Sequence, residues 1–243
     1  MNNKLFIKRG YRTVGVCAYQ DRTDITTVRI AAGVRNIGNG AFCRCSALSD
    51  ILLPNSLKMI GEMSFACTNI RSVIIPDSVE LIKKRAFAFN PELRSVHIGE
   101  SVKYIMPGAF SGCEKLKRIT VSPENDYYYV QNGCLIDKET KKLIVACAPY
   151  VVPEGVKIIE KQAFMFLLNC ASVTLPASLE SINSEGDPIK NFDMCRYVEY
   201  NGHGEVTLEK TMIIKAPRNS YAEAFAMKNN IRFEEIKKWK TRL

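Results

Sequence analysis

Histidine is scarce, with two in 243 residues, and that scarcity bounds the chemistry. With only His97 and His203 to join the neighbouring Cys43 and Cys45, a zinc site is not expected, and the two histidines stand too far apart in sequence for an H-E-x-x-H helix. Neither a G-x-S-x-G elbow nor a P-loop occurs. Ser95 and His97 lie two apart on one expected strand and so would point the same way, but no third group that would orient such a dyad is identifiable. Catalysis is not expected, and no metal or cofactor is implied. There is no apolar run of about 18 residues to span a membrane. The N-terminal stretch MNNKLFIKRGYRTVGV lacks the apolar core and small-residue cleavage site of a secretory signal. No asparagine begins an N-x-Ser/Thr glycosylation acceptor.

What the chain does have is repetition. Phe42, Phe65, Phe87 and Phe110 are spaced 23, 22 and 23 residues apart, each after a small residue (Ala41, Ser64, Ala86, Ala109). After each aromatic come Leu48, Ile70, Leu93 and Leu116, then Ile51, Val73, Val96 and Ile119, then Leu53, Ile75, Ile98 and Val121. Val34, Leu57, Val79 and Val102, with Ile37, Ile60, Ile82 and Ile105, complete the unit. A degraded copy precedes these at Ile7, Tyr11, Val14, Ala18, Tyr19, Ile25 and Val28. The register breaks after Val121 and resumes at Val152, Val156, Ile159, Ala163, Phe164, Val173 and Leu175. A last copy, Leu175, Leu179 and Ile182, would carry an insertion around Glu185–Lys190 before Phe192, Cys195 and Val198. Each unit reads as a strand LxxIxI, a terminating proline, a second extended piece VxxI, and an AFxxC turn. One copy cannot bury its own apolar face, whereas stacked neighbours can.

NSLKMIGEMSFAC, DSVELIKKRAFAF, ESVKYIMPGAFSGC and EGVKIIEKQAFMF resemble the BspA-like subtype of leucine-rich repeats, with its pattern LxxIxIPxSVxxIGxxAFxxC. The resemblance implies an α/β repeat solenoid, right-handed and β-dominated with little helix, of about seven or eight coils of roughly 23 residues. It implies one domain over 1–243: a degenerate N-terminal repeat at 1–29, regular repeats over 30–121, an inserted hairpin at 122–151, further repeats over 152–205 and a C-terminal cap over 206–243. In that cap, Ser220 would open a short helix carrying Tyr221, Ala224, Phe225 and Lys228, with Ile231, Phe233 and Ile236 as a closing strand. Such repeats are usually binding scaffolds, and many members of the family look secreted or surface-exposed.

Nine cysteines, an odd number, leave at least one unpaired. Cys45, Cys67 and Cys113 read as one repeat slot, filled by Asn90 and Leu167 in other copies, which describes a small buried site more than a disulfide framework. Many unpaired thiols and no secretory signal lead to a cytoplasmic expectation. Gly38-Asn39-Gly40 reads as a bend inside a repeat turn.

The net charge of +9 permits attraction to acidic partners. Lys237, Lys238, Lys240 and Arg242 account for part of it as a solvated tail. The outward residues of LxxIxI are more informative. Arg71, Arg94 and Lys117 are equivalent in three successive coils and would form a column about 4.8 Å apart, flanked by His97 and Arg118. Like charges so placed repel, and either they serve a site or they fan into solvent toward Asp50 or Glu92. Tyr127-Tyr128-Tyr129 forms a second candidate surface, although strand alternation would pack at least one of the three on the solenoid. The expected role is non-catalytic binding of a protein partner, acidic in character, through Arg71, Arg94, His97, Lys117 and Arg118, with Tyr127 and Tyr128 as further contacts. Charge-driven binding of polyanions is one alternative. The other is a bacterial surface adhesin whose signal peptide is missing from this chain.

Overall fold

The computed structural model describes residues 3–160, 162–164, 171–182, 198–200, 206–208 and 212–237. The chain divides into two compact units, Met1–Val130 and Gln131–Leu243.

In the first unit each LxxIxI stretch forms a short strand: β1 (Lys4–Ile7), β3 (Thr27–Ile30), β5 (Asp50–Leu52), β7 (Ser72–Ile74), β9 (Ser95–Ile98) and β11 (Arg118–Val121). They pair in parallel as β1-β3-β5 and β7-β9-β11, with equivalent repeat positions in register. Alternation explains their faces. Val28, Val73, Val96 and Ile119 are buried, while the residues on either side of each are at least partly exposed. Pro54 and Pro76, which cannot donate to a ladder, stand just beyond β5 and β7. The VxxI pieces build a second parallel ladder from β2 (Thr13–Val14), β4 (Asn36–Ile37), β6 (Met59–Ile60), β8 (Leu81–Ile82) and β10 (Tyr104–Ile105).

Between the ladders runs an aromatic spine. Tyr19, Phe42, Phe65, Phe87 and Phe110 stack nearly parallel, with successive ring centroids 5.3, 5.2, 5.2 and 5.6 Å apart. Tyr19 thus fills the aromatic position of the degraded first copy. Tyr11, expected inside that copy, is instead 63% exposed, whereas Ile7 and Val14 of the same coil are buried. Each turn holds two left-handed residues around the aromatic, Gly40 (φ 63°) and Arg44 (φ 60°) in one coil and Met63 (φ 51°) and Cys67 (φ 56°) in the next. Gly38 answers a different need: a Cβ there would lie 2.7 Å from the backbone of Gly15.

The left-handed positions correct the cysteine register. Cys67 is equivalent to Arg44 and Phe89, as its N–H bond to Ala88 O matches those of Arg44 to Ala66 O and Phe89 to Ser111 O. The buried slot therefore holds Cys45, Thr68, Asn90 and Cys113. Its side chains do more than fill space. Cys45 Sγ donates to Tyr19 O at 3.0 Å and Cys113 Sγ to Phe87 O at 3.2 Å, the aromatic carbonyl of the preceding coil in each case. Asn90 Nδ2 likewise donates to Phe65 O, and also to Phe87 O, both at 2.8 Å.

After β12 (Tyr128–Gln131), β13 (Cys134–Asp137) and β14 (Lys142–Ala146) form an antiparallel hairpin in the second unit. β14 then pairs in parallel with β15 (Ile158–Ile159), and β15 with β17 (Ser181–Ile182), so the hairpin's second strand extends a VxxI ladder. β16 (Ser172–Thr174), β20 (Ile213–Ala216) and β21 (Arg232–Glu235) form a parallel sheet, and β18 (Val198–Tyr200) pairs antiparallel with β19 (Val206–Leu208). The helix α1 (Tyr221–Lys228) starts as its sequence predicts: Ser220 Oγ accepts from Glu223 N at 3.2 Å, while Asn219 N donates to Glu223 Oε2 at 2.6 Å. It buries Ala222, Phe225 and Ala226. The insertion expected around Glu185–Lys190, Phe192, Cys195, Leu167 and the tail residues Lys238, Lys240 and Arg242 lie outside the described residues.

Candidate functional site

The first ladder carries the basic column. Arg94 N donates to Arg71 O at 2.9 Å and Lys117 N to Arg94 O at 3.1 Å, so these three exposed residues sit one above another. One position further, Ser72, Ser95 and Arg118 are in register. Two beyond that come Ile74, His97 and Thr120. Five of the seven residues singled out from sequence (Arg71, Arg94, His97, Lys117, Arg118) thus lie on three successive coils. Neutralisation of the column is partial. Arg94 meets Glu92 at 3.4 Å, and Glu92 is held more tightly still by Lys115, which with Arg94 keeps its carboxyl below the ordinary value. Asp50 is taken by Arg29 at 2.6 Å. Among the described residues Arg71, Lys117 and Arg118 have no acidic partner. The His97 ring engages Thr120 rather than Ser95, with Nδ1 2.9 Å from Thr120 Oγ1.

The tyrosines part company. Tyr128 is 4% exposed and leaves the candidate surface. Its hydroxyl accepts from Ile105 N at 3.1 Å and donates to Lys103 O at 3.2 Å, supplying β10 with the bonds a further strand would give. Asn125, itself buried, steers it there by accepting from both Tyr127 N and Tyr128 N at 2.8 Å. Tyr127 stays 37% exposed, with the Lys103 ammonium 5.6 Å from its ring and 5.4 Å from that of Tyr104. It therefore belongs with the second ladder and not with the basic column.

Two features escaped the sequence reading. Leu52 and Ile74, large aliphatics on the outward side of β5 and β7, are 58% and 71% exposed. They were already legible as outward positions of LxxIxI. The second ladder also carries exposed cations, Arg12, Arg35 and Lys58 on successive coils and Lys103 beyond Glu80, which pairs with Lys58 at 2.7 Å. Reading VxxI copy by copy, as was done for LxxIxI, would have found them.

The buried thiols are held neutral near pH 7. Burial pushes Cys45 up to about 11 and Cys147 up to about 12, and raises Cys134 as well, with Cys147 adding to it. Among the described residues no group of three His, Cys, Asp or Glu side chains could hold a metal ion.

A family profile described as BspA type leucine rich repeat region matches residues 3–138 and 147–199, in 6 copies. The chain belongs to this family. Leucine-rich-repeat proteins of this kind generally serve as protein-interaction modules, and are generally non-catalytic. Among solved structures, the chain is similar to the T. pallidum leucine-rich repeat protein at 21% identity, over 74% of this chain and 69% of that one, with a TM-score of 0.50. It is similar to a leucine-rich repeat protein from Eubacterium ventriosum at 19% identity, over 89% of this chain and 60% of that one, with a TM-score of 0.54. At such identities the likeness is one of fold. Comparison with curated proteins gives no match. Among the described residues no helix is long and apolar enough to cross a membrane.

Proposed function

We propose that this leucine-rich-repeat chain binds a protein partner, without catalysis, through the strand-lined face around Arg71, Arg94, His97, Lys117 and Arg118. The observation that carries the reading is the stacked column of exposed cations, of which Arg71 and Lys117 have no acidic partner among the described residues. Stacking like charges one coil apart opposes folding, so a site for an acidic surface gives the column a use. The test is capture from native lysate at low and high salt by the wild type and by R71E/R94E/K117E. A discrete protein retained by the wild type and lost by the variant is expected. Equal capture by both overturns the reading.

The second reading is charge-driven polyanion binding. It is favoured by the additional cations Arg12, Arg35, Lys58 and Lys103 on the other ladder. Its mark in the same experiment is capture that falls steeply with salt and discriminates poorly among anions.

A further inference from the structure

The outward column that contains His97 and Thr120 continues through Ile74 on β7 and Leu52 on β5. Arg71 N donates to Ser49 O at 3.4 Å and Asn69 N to Leu48 O at 2.9 Å, which sets the β7 coil directly against the β5 coil. Leu52 and Ile74 are therefore outward neighbours on adjacent coils. Folding does not demand aliphatics there, because the equivalent places in other coils are filled by Phe6, Arg29, His97 and Thr120. Exposed large aliphatics gathered together mark interaction surfaces more than isolated ones do. Their surroundings fix the sign of what can cover them. Arg71 precedes Ile74 on the same coil, with Arg94 and Lys117 stacked beyond it, and Arg29 lies beside Leu52. The carboxylate of Asp50, the one acid on these strands, is already held by Arg29 at 2.6 Å. Ser72 separates Ile74 from Arg71, and in the β5 coil the cation column gives way to the small residue Ser49.

We infer that the occupant of this face is an acidic polypeptide segment that seats a large apolar side chain over Leu52 and Ile74 and places carboxylates against Arg71, Arg94 and Lys117. This rests on the protein-binding reading above and adds to it an apolar anchor and a partner chemistry. The apolar contact supplies affinity by desolvation, and the cations supply orientation and encounter rate. A polyanion without apolar groups would leave Leu52 and Ile74 uncovered.

The test is selection of a random dodecapeptide library, displayed on phage, against the full chain, followed by affinity measurement of the enriched peptides. Peptides combining Glu or Asp with Leu, Ile, Phe or Trp are expected. Each of Leu52→Thr and Ile74→Thr should weaken them by about 10-fold; threonine keeps β-propensity at these exposed sites, so the fold is undisturbed. R71E/R94E/K117E should abolish binding. Enriched peptides that are lost in the triple variant but unmoved by Leu52→Thr and Ile74→Thr overturn the apolar anchor while leaving the face as a binding site. Peptides unmoved by any of these changes overturn both. Enrichment of purely acidic peptides, or no enrichment at all, overturns the proposed partner chemistry.

Discussion

Replacing Asn90 by leucine tests whether the buried slot is a hydrogen-bonding position or a space to fill. Asn90 is fully buried. Its Nδ2 donates to Phe65 O and Phe87 O, and its Oδ1 accepts from Thr68 N at 3.0 Å and from the Thr68 hydroxyl. After Asn90→Leu both carbonyls keep a second donor, since Thr68 Oγ1 reaches Phe65 O at 3.3 Å and Cys113 Sγ reaches Phe87 O at 3.2 Å. The Thr68 N–H does not. One orphaned buried donor costs about 1–3 kcal/mol and each lost bond about 1 kcal/mol, and the added apolar burial returns part of this. A net loss of about 2–3 kcal/mol follows, which lowers Tm by roughly 5–10 °C in a chain of this size. Asn90→Cys, which places in this coil the residue of the Cys45 and Cys113 coils, offers the Thr68 N–H a weak sulfur acceptor as well as a donor toward Phe65 O, and should cost about half as much. Thermal unfolding followed by circular dichroism and calorimetry gives the ranking. A leucine variant as stable as the wild type would refute the slot's polar role, and so would a cysteine variant worse than leucine.

Ser64 occupies the position that Ala41, Ala86 and Ala109 fill in other coils, and its hydroxyl is buried without a hydrogen-bond partner. Ser64→Ala removes that desolvated group and should raise stability by about 1 kcal/mol, read as a Tm increase of a few degrees; a decrease would mean that the hydroxyl is satisfied in solution. The buried thiols give a pH dependence. Cys45 is raised by burial from 9.0 to about 11, so its contribution to stability is fully present below pH 9 and is lost as pH rises from there through about 11. Urea midpoints across that window should fall with a slope of at most about 1.4 kcal/mol per pH unit from this one group. Cys45→Ser, which keeps a donor for Tyr19 O but does not titrate, should flatten the fall; an unchanged slope would remove Cys45 as its cause.

The fold was legible because every coil repeats the same inward residues, and periodic burial is a local property of sequence. The slip at Cys67 shows where periodicity misleads. From Phe65 to Ile70 the chain is one residue shorter than from Phe42 to Leu48. Counting back from the following aliphatic pairs Cys67 with Cys45, whereas counting forward from the aromatic pairs Thr68 with it. Backbone geometry decides for the aromatic, because the left-handed residue two positions after each ring is fixed by the turn that the ring anchors: Arg44, Cys67 and Phe89 all have φ near 60°. The shortened loop then takes up the missing residue. Likewise the YYY stretch told that something would pack, but not which ring. That choice depends on Asn125 accepting from two consecutive amides, a three-dimensional event with no period to announce it.

The candidate face was legible in its charges and not in its apolar part, and the reason is physical. A like-charge column conflicts with folding, so it stands out as soon as copies are aligned. Leucine and isoleucine in a leucine-rich repeat conflict with nothing on paper, and only exposure separates Leu52 and Ile74 from the many buried aliphatics of the same coils. The alternation rule does contain the answer, since both flank an inward residue, Ile51 or Val73, on the outward side. The outward set of each strand thus has to be read for apolar excess as well as for charge. On this chain that places the apolar pair Leu52 and Ile74 and the unneutralised Arg71 and Lys117 on the outward side of successive LxxIxI coils, and the cations of the VxxI ladder apart from them. A partner that needs both apolar contact and positive charge has the first ladder to bind, whereas one that needs charge alone has either.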